Sequence, residues 1–139
     1  MAEGFTEAIQ SAIDGALIAF GIANSIKVGL ENISISTNTA TPHLAGFMMP
    51  ADIESADLYF TDRRSGIYQI DINYASTLGS APINRMVDKL NAAFKPSTSL
   101  TRDPVCVEIT KFSHERITVA NGWATKPVTI EWVTHTERL

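Results

Sequence analysis

The chain is poor in the residues that most often carry chemistry or hold small folds together. It has one cysteine, Cys106, in 139 residues. With no second cysteine there is no intrachain disulfide, and nothing points to an oxidising compartment. Positive charge is also short. Eleven Lys and Arg stand against 15 Asp and Glu, for a net charge of −4, whereas chains that grip nucleic acid carry a basic excess. No apolar run reaches the ~18 residues that a membrane span requires. The opening MAEGFTEAIQ has acids where a secretory leader would have bases. There is no Gly-rich phosphate loop and no GxSxG motif, and no internal repeat stands out. His43, His114 and His135 are far apart and lack short metal-ligand spacing. The expectation is a cytosolic, single-domain protein spanning 1–139, without metal, cofactor, catalytic residues or a membrane partner.

What the sequence does contain is pattern. The stretch GIYQIDINY at 66–74 alternates cleanly, with Tyr68, Ile70, Ile72 and Tyr74 on one face and Gln69, Asp71 and Asn73 on the other. β-Branched and aromatic residues at period two predict a strand with one buried face, taken here as the centre of a sheet. Residues 5–20 repeat apolar positions at steps of three and four, which predicts a helix with Glu3 and Glu7 near its start and Gly21 as its stop. Asp14-Gly15 weakens its middle, because glycine costs about 1 kcal/mol there relative to alanine. A second helix is predicted over 77–95, with Ser80 as N-cap, Pro82 in the first turn and Pro96 as terminator. Short strands are expected near 33–36, at 43–50 and at 57–60, and TDRRSG at 61–66 reads as a turn with an Arg63-Arg64 tip. STSLTRD at 97–103 reads as a linker. Val105 to Phe112 and Val128 to Trp132 alternate as strands, with Asn121-Gly122 as a turn between them. The order predicts an α+β domain, a largely antiparallel sheet with two helices packed on one face.

Candidate functional residues are few. Cys106 could act as a nucleophile with His114 or His135 as base, but a lone cysteine in an apolar strand reads as core packing. His135 reads as a solvated residue near the chain's end. Arg63 and Arg64 read either as a solvated tip or as a polar contact with a neighbouring subunit, since arginine's planar fork suits carboxylates at interfaces. Trp132 continues a buried alternation. Trp123 lies beside a turn and reads as an interface anchor or as a side chain folded back on its own domain. The polar stretch 33–42 is a surface loop or a segment that a partner orders.

In order, the N-terminal amphipathic helix, Leu30 to Asn32, HLAGFMMPAD, RRSGIYQIDINY, PINRMVDKLNAAFKP, VCVEITKF and GWATKPVTIEWV resemble the tail terminator family of long-tailed bacteriophages, in its small gpU-like branch. The likeness runs from about residue 5 to residue 134 and rests on packing motifs. It implies a structural virion protein that forms a homohexameric ring at the tail-neck junction, monomeric or not before assembly in the host cytoplasm. Such a ring caps the tail tube protein, ends tube polymerisation and offers its other face to a head-completion or connector protein. DNA passes through it without specific binding, for which an acidic chain is suited. Competing readings are another neck or tail-tube ring component, or a small-molecule-binding α+β domain or enzyme.

Overall fold

A computed structural model describes residues 5–30, 42–49, 52–55, 61–102, 105–120 and 122–137. Glu3, the strands expected at 33–36 and 57–60, and most of the polar stretch 33–42 lie outside the described residues. Two helices, α1 (Phe5–Ala23) and α2 (Ala81–Ala93), combine with strands β1 (Lys27–Leu30), β2 (His43–Met48), β3 (Asp52–Ser55), β4 (Thr61–Ala75), β5 (Ser99–Arg102), β6 (Val105–His114), β7 (Thr118–Ala120) and β8 (Trp123–Glu137). The fold is α+β with a mostly antiparallel sheet, as expected. The sheet order is β1-β2-β4-β8-β6-β5, with β3 on β4 and β7 on β8. Among the described residues only β1 and β2 pair in parallel.

The period-two stretch is the middle of β4, which pairs along its whole length with β8, from Thr61↔Glu137 to Ala75↔Trp123. Tyr68, Ile70 and Ile72 of β4 and Val128, Ile130 and Trp132 of β8 are buried on one side. Leu44 of β2 sits opposite Ile72 on that side, and Ile109 of β6 sits opposite Trp132. The buried stripe of α1 (Ile9, Ile13, Leu17, Phe20) and that of α2 (Ile83, Met86, Val87, Leu90) join these residues in one core cluster. A bulge between Ile109 and Lys111 shifts the register between β6 and β8 by one residue.

Two contacts fix α1 on the sheet. The buried Tyr68 hydroxyl donates to Asp14 Oδ1, so the acid that looked like a weak point in the helix is a latch. Directly beneath, Gly46 of β2 leaves room for the same tyrosine: a Cβ there would strike Tyr68 Oη and come within 2.8 Å of Leu17 Cδ2.

Several expectations are corrected. Gly21 does not stop α1. It lies inside the helix where a Cβ would come within 2.5 Å of Val28 Cγ2, so its role is close approach to β1. The helix ends two residues later, where Asn24 caps the Phe20 carbonyl and Ser25 turns into the left-handed region at φ 55°. Ser80 precedes α2 with helical backbone angles and makes no side-chain cap bond. Residues 97–103 are not only a linker, since Ser99–Arg102 pairs antiparallel with β6. The 61–66 stretch is not a turn. It is the first part of β4, flanked by β3 and β8. By length and composition α1 is apolar enough to cross a membrane, although no unbroken run in it is; here its apolar stripe is covered by the sheet.

Candidate assembly surfaces

Because Arg63 and Arg64 lie within a strand, their side chains point to opposite faces. Arg64 turns toward the core side. Its Nε donates to Thr136 Oγ1 at 3.1 Å and its guanidinium lies 5.1 Å from the centre of the Phe5 ring. It thereby ties the start of α1 to the end of β8, a role inside the protomer that a solvated tip would not have. Arg63 is exposed on the other face, where it donates to Ser65 Oγ at 3.2 Å and stands opposite the exposed His135 of β8. Trp123, half-buried, meets His43 edge to face, with ring centroids 4.9 Å apart. Its side chain thus packs on its own chain.

The same outer face carries a polar network built on the non-core side of β4. Gln69 donates to Asp71 at 2.8 Å, and the Thr125 hydroxyl donates to Asn73 Oδ1 at 2.7 Å. Lys111 and Glu131 form an exposed pair at 3.6 Å, an arrangement worth little in water. Phe47 and Ile67 are exposed there too. Cys106 is also exposed, which corrects the expectation of core packing: β6 buries Val105, Val107 and Ile109, and the intervening residues face outward. Its sulfur accepts from Thr101 at 3.6 Å.

His43, His114 and His135 sit on β2, β6 and β8. No group of three or more His, Cys, Asp or Glu that could hold a metal occurs among the described residues. Tyr74 has its hydroxyl pushed above its usual value by burial, opposed by the nearby Arg85 cation.

The sheet's two ends are more informative. Among the described residues β1 pairs only with β2, and β5 only with β6, so each presents an outer backbone edge. A groove of about 330 Å³ runs between β1 and the last turns of α1, with Ile18 and Ile22 on its rim. Ile22 is 77% exposed and Ile18 41%. A second groove, about 350 Å³, runs between β5 and the small residues Ser11, Ala12, Gly15 and Ala16 of α1. Sequence reasoning missed both edge strands. The alternation of Val28 and Leu30 around Gly29 was a weak signal for β1, but β5 has a single apolar residue, Leu100.

Comparison with known proteins assigns this architecture. A family model described as phage tail terminator protein matches residues 8–132. The chain belongs to the phage tail terminator family. It is therefore a structural protein of the phage tail and a virion component. A solved structure 20% identical superposes with a TM-score of 0.76, covering 94% of this chain and 96% of that one; at that identity the likeness speaks for the fold alone. No curated protein matches the sequence.

Proposed function

We propose that this terminator forms a homohexameric ring that caps the tail tube, stops its polymerisation and presents a second surface for head joining, with DNA passing through the ring. The observation that carries this reading is the family match across residues 8–132. The open sheet with two unlike ends suits it, since a head-to-tail ring needs two different patches on each copy. On this reading the whole chain acts as one domain at the tail-neck junction, assembled in the host cytoplasm, and its partners are the tube protein and a head-completion or connector protein. Both helices cover one face of the sheet and leave the polar face to neighbours or to the lumen.

Of the three residues singled out in the sequence, Arg63 is the one whose exposure on the outer face supports a contact with another subunit or with the tube. Arg64 and Trp123 contribute by holding the surface in shape. The test is tube assembly in vitro. Added protein should shift tube lengths downward in a dose-dependent way and leave a ring at tube ends in electron micrographs. Tubes that grow to the same length, with bare ends, would refute the reading. Charge reversal at Arg63 should weaken end binding without lowering the melting temperature.

A further inference from the structure

We infer that copies of this chain join through the outer edge of β1 on one and the outer edge of β5 on the next, in parallel, each edge having no strand partner among the described residues, with Ile18 and Ile22 of the first seated against the Gly15 side of the second copy's α1. The inference deepens the ring reading and rests on it.

Strand direction gives the first argument. From β1 the sheet runs parallel to β2, then reverses at β4, β8, β6 and β5 in turn. Four reversals bring β5 back to the direction of β1. A neighbour related by rotation about a ring axis, continuing the sheet side by side, therefore lays its β5 parallel to β1. A two-fold pairing of β1 with β1 would instead be antiparallel and would close a dimer.

Side-chain parity gives the second. Val28 is opposite the buried Leu44, and Leu100 opposite the buried Val107, so both face the core side. Both are only partly buried within the protomer. A parallel register that sets Val28 beside Leu100 keeps core faces together across the joint and completes the burial of both. On the outer face it sets Lys27 beside Ser99. Both edge strands are four residues long.

Shape gives the third. The exposed large residues lie over β1, and the small ones lie over β5. A Cβ at Gly15 would meet nothing within 4 Å. Edge joining brings the two together above the same face, and the isoleucines fill space that the glycine leaves open. An edge strand flanked by apolar surface otherwise invites uncontrolled pairing; this joint covers it.

The experiment uses the full chain with Gly15→Leu and Ile22→Glu, both at positions open to solvent in the protomer. Each variant should keep wild-type circular dichroism and stay folded, with Gly15→Leu melting at or slightly above the wild-type temperature because a glycine leaves a helix interior. Each should need about tenfold or more higher concentration to form rings, free or on tube ends, as expected when a central interface residue is lost. Mixed one to one, the variants should form a heterodimer and stop there. The only intact joint links the β1 side of the Gly15→Leu chain to the β5 side of the Ile22→Glu chain. Folded variants that each form wild-type rings would overturn the joint while leaving the ring reading standing. Dimers of Gly15→Leu alone, with no gain on mixing, would replace it by a two-fold pairing. A wild-type chain that forms no ring at any soluble concentration, nor on tube ends, would overturn the ring reading itself.

Discussion

Replacing Gly46 by alanine tests how α1 is held on the sheet. In an open strand the change should help, because glycine loses more backbone freedom on folding than alanine does, by about 0.5–1 kcal/mol. Here the new methyl would run into Tyr68 Oη, with Tyr68 Cζ at 3.0 Å and Leu17 Cδ2 at 2.8 Å. Leucine's end can swing aside. The tyrosine ring is fully buried and can move only by leaving Asp14. Overpacking of this kind costs about 1–3 kcal/mol, and loss of a partly buried bond to a carboxylate adds about 1.5–3 kcal/mol. The expected net loss is roughly 2–5 kcal/mol after the glycine gain is subtracted. For a chain of this size that corresponds to a fall of about 3–5 °C in melting temperature per kcal/mol. The assay is urea unfolding followed by circular dichroism, with Tyr68→Phe and the double variant completing a cycle. Removing the hydroxyl relieves the worst contact, so the double variant should be less destabilised than the sum of the two singles, by about 1 kcal/mol or more. A neutral Gly46→Ala, or strict additivity, would refute the account of how helix and strand approach.

Other outcomes follow from the same contacts. Gly15→Ala sits in an exposed helix interior with empty space around it and should stabilise by about 0.5–1 kcal/mol in the same unfolding assay. Arg64→Ala should cost about 1–2 kcal/mol through the lost Thr136 bond and Phe5 contact, and should speed amide exchange in the first turns of α1. Arg63→Ala, on the exposed face, should stay within about 0.5 kcal/mol. Tyr74 holds its proton more tightly folded than unfolded. The stability it adds is therefore complete below the unfolded value near 10 and is lost as pH rises through the folded one. Tyr74→Phe should flatten the alkaline decline of the melting temperature, and an unchanged decline would count against that shift.

The core and the element types were readable from the chain because they are periodic. β4, β6 and β8 announce themselves by alternation, and both helices by apolar steps of three and four. Burial of one face is a local property of such patterns. Family membership was readable for a related reason, since it follows from the order of those patterned segments.

The assembly surfaces were not readable, because they depend on which segments become neighbours. Strand β5 has one apolar residue and forms by pairing with β6, so its sequence looks like a linker. Arg63 and Arg64 look like a turn because charged, serine and glycine residues cluster there. The long partner β8 draws them into a strand and sends the two arginines to opposite faces. Cys106 looked like packing until register placed it among the outward positions of β6. Asp14-Gly15 looked like one defect in α1. Tertiary packing separates the two: the acid meets Tyr68 and the glycine is left facing open space. The sequence alone determined what must be buried. The tertiary structure decided which edges and which small and large residues stay uncovered, because backbone edges and surface shape arise only when distant segments meet.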